Sequence, residues 1–244
     1  MAGRIARRSA LCALSWALPF PRTMTTRTSS PQPHPGFGSG SELWLARHGE
    51  VHGDYVGQEY GALDVPLSET GKGSSERLAD SLATLRPARI LSSPLQRARH
   101  LGEALAQRTS LELEVDQRLS EIDRGSWSGR WVEELQREQR DEVRAFYGDP
   151  WSWRGHGGEN DSMLAERLWA ALTGVLPHCE GAPLVLATHY NVARVLVSGA
   201  LGSDPKDSFN LRLDPAHAVV LRDAPGGWQL LYSNIHRVPG VERT

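Results

Sequence analysis

An arginine and a histidine stand side by side at the end of a short apolar run in "ELWLARHGE", as Arg47 and His48, with Gly49 after them. Such a pair is costly to place at the end of a buried strand unless it meets something that needs cationic and hydrogen-bonding groups. A second histidine, His189, closes the most apolar run of the chain, "APLVLATH", and a second arginine, Arg97, follows the turn "SSPL". Planar guanidiniums bind a phosphoryl group through two parallel hydrogen bonds. A neutral imidazole can attack phosphorus and hold the phosphoryl group covalently. The remaining cations and the second imidazole would then stabilise the equatorial oxygens of the transition state. A leaving alkoxide needs a proton and the water that follows needs a base, and one carboxyl group can serve both in turn. Glu121, in "LSEIDRGSWSG", is the candidate, with Asp123, Glu50 and Glu159 as rivals.

For these groups to meet, the chain must bring distant segments to one edge. Leu43 to Ala46 reads as a buried strand, "ARILSS" as a second, "LELEV" as a third and "APLVLATH" as a fourth. Between them, Ser68 caps a helix that carries Leu78, Leu82 and Leu85 and stops before Pro87. A second helix starts with Pro94 in its first turn, and residues 131–146 and 161–176 give two more. "YNVARVLVSGALG" follows the fourth strand as a helix, and "HAVVLRD" and "GWQLLYS" form a hairpin. This alternation predicts an α/β three-layer sandwich: a mostly parallel central sheet with helices on both faces. In such folds ligands bind at the carboxyl ends of the strands, so His48 and His189 should emerge together. Helix N-termini after Ser93 and His189 should add N–H donors for an anion.

The 244 residues suit one large domain, over 42–235, preceded by an extension over 1–41 and followed by a tail over 236–244. A net charge of -2 argues against a nucleic-acid or membrane partner. Cys12 and Cys179 are too far apart to found a disulfide framework, which points to the reducing cytoplasm. Arg4, Arg7 and Arg8 before the apolar run from Ala10 to Phe20 leave export through a weak signal-like segment as the alternative, against an over-extended N-terminus with synthesis from Met24. The lead-in "MTTRTSSPQPHPGFGSGS" is expected to be disordered. His52 and Asp54 near His48 match no familiar metal spacing, so neither metal nor cofactor is expected. His100, His156, His178, His217 and His236 carry no pattern, and Trp127, Trp131, Trp151 and Trp153 fit a core or a pocket wall. Residues 131–160 read as a specificity lid.

Six segments in order resemble the histidine phosphatase superfamily, the phosphoglycerate-mutase-like enzymes: "LARHGE", "GALDVPLSETG", "ILSSPLQRA", "LSEIDRGSWSG", "GGEN" and "LATHYNVAR". The resemblance implies a phosphoglycerate-mutase-like fold, with His48 as the phosphorylated residue, Arg47, Arg97 and His189 on the phosphate and Glu121 as acid and base. Gly49, Glu50 and Tyr60 would meet substrate. Some positions differ from the family pattern: Ser74-Ser75 replace Gln-Ala, Val51-His52 replace an asparagine, and Tyr190-Asn191 replace Gly-Gly. The short "EIDRGSWSG" form and the missing insertion after Arg97 resemble the phosphatase branch, and look most like α-ribazole phosphatases. That implies a metal-independent phosphomonoester hydrolase acting on a small-molecule phosphate ester. Mutase-type phosphoryl transfer, a non-catalytic phospho-ligand module and a homodimer stay open.

Overall fold

A computed structural model describes residues 33–240. Its six strands are β1 (Glu42–Arg47), β2 (Arg89–Ser92), β3 (Leu113–Val115), β4 (Leu184–Thr188), β5 (Ala218–Ala224) and β6 (Gly227–Ile235). They form one sheet in the order β3-β2-β4-β1-β5-β6. The first four in that order run parallel; β5 is antiparallel to β1 and β6 to β5. Placing β4 between β2 and β1 sets the last residues of β1 and β4 side by side, with Arg47 opposite Thr188. Both histidines therefore follow neighbouring strands at one sheet edge.

The helices are α1 (Glu69–Ala83), α2 (Gln96–Thr109), α3 (Val132–Glu138), α4 (Arg140–Gly148), α5 (Asp161–Thr173) and α6 (Tyr190–Leu201). Strand side chains alternate between faces, and the two cores divide accordingly. Leu43, Leu45, Leu184 and Leu186 pack with α5 and α6. Trp44, Ala46, Val185 and Ala187 pack with α1 and α2. This is the expected three-layer sandwich. Ser68 caps α1 by accepting from the Gly71 N–H at 2.9 Å, as expected.

Four expectations need correction. Residues 131–146 are not one helix: the chain breaks at Gln139, whose side chain is drawn away to accept a 2.6 Å bond from Trp127 Nε1. Pro94 lies before α2 rather than in its first turn, because Ser93 and Asp64 cap the start of that helix instead. The third strand shrinks to Leu113–Val115. Residues 33–41 are not a disordered lead-in. His34 stacks on Trp169 at 4.0 Å, and the Asp223 carboxylate accepts from the N–H groups of Phe37, Gly38 and Ser39 at 2.7–3.0 Å. The tail also docks, with the Val238 N–H bonded to Ser81 Oγ. The expectations for residues 1–23, Cys12 and a start at Met24 lie outside the described residues. No helix among the described residues is long and apolar enough to cross a membrane.

Candidate active site

His48 follows β1 directly. Its N–H donates to the Thr188 carbonyl at 3.0 Å and its carbonyl accepts from Ala216 N at 3.0 Å, so its backbone is fixed on both sides. Its ring Nδ1 lies 2.7 Å from the Gly49 carbonyl. A carbonyl can only accept, so Nδ1 carries the proton and Nε2 keeps its lone pair. Gly49 is forced by close packing: a Cβ there would sit 2.1 Å from the Gly71 carbonyl oxygen. Its N–H donates to Ser75 Oγ at 2.9 Å. Gly49, expected to meet substrate, has its N–H bonded to Ser75 and its carbonyl to His48 Nδ1.

His189 caps the N-terminus of α6, its ring centroid 5.2 Å from that of His48 at 65°. Its Nε2 lies 2.7 Å from Ser93 Oγ, while its buried Nδ1 has no hydrogen-bond partner. Both rings are almost fully enclosed. Burial, and then the positive charges of Arg97 and Arg47, hold both imidazoles well below their ordinary pKa; the imidazole of His48 adds to the effect on His189. Both are therefore neutral at pH 7.

The two guanidiniums are pinned by carbonyls rather than carboxylates. Arg47 Nη1 donates to Leu213 O at 2.6 Å, and Arg97 donates to Leu63 O at 2.6 Å and Gly61 O at 2.7 Å. Arg47 lies over the ring of Tyr190 and Arg97 over that of Tyr60. The buried Nε atoms of both lack a partner, and among the described residues neither arginine forms an ion pair with a carboxylate. Two guanidiniums without ion-pair partners, beside two neutral rings, can take a dianion between them.

Glu121 is buried, at 5% exposure. Its Oε1 accepts from the Ile122 N–H at 2.8 Å and its Oε2 from Asn191 N and Nδ2, both at 3.2 Å. Two of the rivals, Asp123 and Glu159, are exposed or engaged elsewhere. Asp123 is exposed and caps Gly125 N, and Glu159 pairs with Arg167 at 2.8 Å. The Glu50 carbonyl accepts from Ser68 N at the start of α1. At each of the two helix N-termini expected to face an anion, one N–H is already engaged. The Gln96 N–H of α2 is taken by Asp64 Oδ1 at 2.7 Å, and the Asn191 N–H of α6 by Glu121.

Other residues were missed as participants. Ser93 and Ser75 orient the two histidine segments, and Tyr190 backs Arg47. Arg124, with Glu59 as its partner at 2.9 Å, reaches Asn191. Burial raises the Glu59 carboxyl above its ordinary pKa, against the pull of Arg124. Three of these, Ser75, Tyr190 and Asn191, sit at the very positions where the sequence leaves the family pattern. His52 instead pairs with Asp54 at the surface. Beside the site Trp127, Leu135, Val143 and Phe146 form a separate apolar cluster, with Trp153 against it. His156 is buried among these rings, its pKa pushed down to about 4 by burial and by Arg124. Trp131 is exposed and Trp151 packs on the main core.

A parallel-sheet edge that presents two neutral imidazoles, two arginines without ion-pair partners and a buried carboxylate has the groups that phosphoryl transfer needs. The chain belongs to the histidine phosphatase superfamily (branch 1), whose family model matches residues 43–236. It is 31% identical over 180 residues to phosphoserine phosphatase 1 of Hydrogenobacter thermophilus, covering 74% of this chain and 85% of that one. A mycobacterial glucosyl-3-phosphoglycerate phosphatase, solved with VO3, superposes with a TM-score of 0.70 at 27% identity, over 80% of this chain and 99% of the other. The α-ribazole phosphatase of Shigella flexneri shares the fold, with a TM-score of 0.71 at 22% identity, over 83% of this chain and 100% of that one.

Proposed function

We propose that this protein hydrolyses a small-molecule phosphomonoester through a phosphohistidine at His48. The observation that carries this is the pair of guanidiniums, Arg47 half-buried and Arg97 fully buried, neither of them ion-paired, beside a neutral His48 whose Nε2 lone pair is free. The phosphate dianion binds between Arg47, Arg97 and His189. His48 Nε2 attacks phosphorus, the ester P–O bond breaks, and the leaving oxygen takes a proton from Glu121. Glu121, now ionised, removes a proton from water. The hydroxide attacks the phosphohistidine, the P–N bond breaks, and inorganic phosphate leaves with His48 neutral again. Gly49 holds the nucleophile; Glu50 and Tyr60 border the substrate, Tyr60 from beneath Arg97. No metal enters these steps, so EDTA leaves turnover unchanged.

The cytoplasm is the proposed compartment, on the two distant cysteines, and the small net charge supports a small-molecule partner over nucleic acid or membrane. A homodimer would be read directly by light scattering. The functional test is phosphate release from a panel of esters: phosphoserine, α-ribazole 5′-phosphate, glucosyl-3-phosphoglycerate and 3-phosphoglycerate. Release from at least one, lost in His48→Ala, is expected. Isomerisation of 3-phosphoglycerate without phosphate release would replace hydrolysis by mutase chemistry. Binding of the esters without turnover would make the chain a phospho-ligand module.

A further inference from the structure

Asn191 is the first residue of interest behind the carboxylate. It is the second residue of α6, where a backbone N–H has no partner within the helix, and that N–H donates to Glu121 Oε2. Its side chain repeats the gesture, Nδ2 donating to the same oxygen at 3.2 Å. An amide can be placed either way round, and here its surroundings decide. Arg124 Nη2 donates to Asn191 Oδ1 at 3.1 Å and Arg194 Nε donates to it at 2.9 Å. Two guanidiniums on one side demand the oxygen there, so the NH2 must face Glu121.

Neither guanidinium is free to wander. Arg194 is fully buried and doubly bonded to Asp161, at 2.6 and 2.8 Å, with Ser208 Oγ at 3.0 Å. Arg124 is 2% exposed, paired with Glu59 and stacked over Phe146. The result is a chain of polar groups, buried at Arg124 and Glu121, that runs from Glu59 through Arg124 and Asn191 to Glu121. It holds one carboxylate oxygen from the side while Ile122 N holds the other.

We propose that Asn191, locked by Arg124 and Arg194, is a positioning residue that fixes the Glu121 carboxyl in the orientation from which it protonates the leaving oxygen. This rests on Glu121 being the acid. It also assigns a substrate class: esters whose leaving group is a poorly acidic alcohol, for which protonation matters most. Aryl esters with a stabilised phenolate need little of it.

The experiment compares kcat/KM, which reports the phosphorylation step, for an alkyl ester (phosphoserine or 2-phosphoglycerol, whichever the protein turns over faster) and for p-nitrophenyl phosphate. Asn191→Asp keeps the shape and both arginine bonds but turns the group facing Glu121 from donor to acceptor. Asn191→Gly removes the side-chain bond to Glu121 together with those from Arg124 and Arg194, keeps the backbone one, and serves if the aspartate variant does not fold. Glu121→Gln is run beside them. For the Asn191 variants the loss on the alkyl ester should exceed that on the aryl ester by about tenfold or more, a part of the roughly 10²–10⁴-fold open to a general acid. Glu121→Gln should show the same selectivity, larger. Equal losses on both esters in the Asn191 variants, or no loss, overturn the positioning role. If Glu121→Gln itself is unselective, the acid is another group, and the assignment of Glu121 and the role of Asn191 fall together.

Discussion

The pocket at the carboxyl ends of β1 and β4 and the aromatic cluster of Trp127, α3 and α4 beside it are both buried, yet they are built from opposite materials. In the pocket, charge is kept without full compensation: Arg47 and Arg97 meet only carbonyls and ring faces, and His48 and His189 stay neutral among them. In the cluster, rings meet rings, with Trp127 5.7 Å from Phe146 and 5.1 Å from Trp153. Unpaired buried cations destabilise a fold until an anion arrives, whereas packed rings stabilise it at all times. Substitutions in the two regions should therefore fail in different ways.

The largest effect belongs to the pocket. His48→Ala removes the atom that takes the phosphoryl group, and turnover of p-nitrophenyl phosphate should drop by about 10⁴-fold or more, with little change in the melting temperature. A fall of less than tenfold would move the nucleophile elsewhere. Arg97→Met comes next. It deletes a buried cation from the transition state and should lower kcat/KM by about 10²–10³-fold. Here inorganic phosphate, used as a competitive inhibitor, should bind more weakly in the same variant; unchanged inhibition would place the dianion away from Arg97.

The cluster predicts the reverse pattern. Trp153→Ala should destabilise the protein by about 2–4 kcal/mol in urea unfolding, toward the lower end for a large buried aromatic because the residue is half-buried. Its effect on p-nitrophenyl phosphate turnover should be far smaller than that of Arg97→Met. A variant of unchanged stability that loses activity would erase the contrast. The smallest effect is a pH dependence. His156 is lowered from 6.5 to about 4 in the folded chain. The unfolded chain therefore binds the proton first, so stability is full above pH 6.5 and falls as the pH drops towards 4, by about 1 kcal/mol from this residue once solvent screening is counted. His48 and His189 act in the same direction. His156→Gln should flatten part of that slope, and identical slopes in the two proteins would place the acid sensitivity in other groups, the pocket histidines and the hydrogen-bonded carboxylates Glu159 and Asp223 among them.

The same contrast explains what the chain made legible. Arg47, His48, Arg97 and His189 lie at strand ends or just after short turns, so their places at the carboxyl ends of parallel strands, with the family resemblance, led to the expectation that they meet. A sheet covered on both faces was readable from the unbroken apolar runs "LWLA" and "LVLA" and from the alternation of strands with helices. Asn191, Arg124, Glu59 and Ser75 were not readable, because each acts through a partner dozens of residues away and looks like an ordinary polar side chain on its own element. The break at Gln139 was hidden for the same reason: it depends on an indole reached only after folding. Residues 33–41 look disordered by composition, yet a single carboxylate, Asp223, gathers three consecutive N–H groups.

The most direct test is to mix the protein with a turned-over phosphomonoester, quench rapidly in alkali, and locate the phosphoryl group by peptide mass spectrometry. A phosphorylated peptide containing His48, stable in base, lost in acid and absent from His48→Ala, is the expected result. Steady phosphate release with no phosphoryl group on His48 at any quench time, or with the label on another residue, would contradict the proposal.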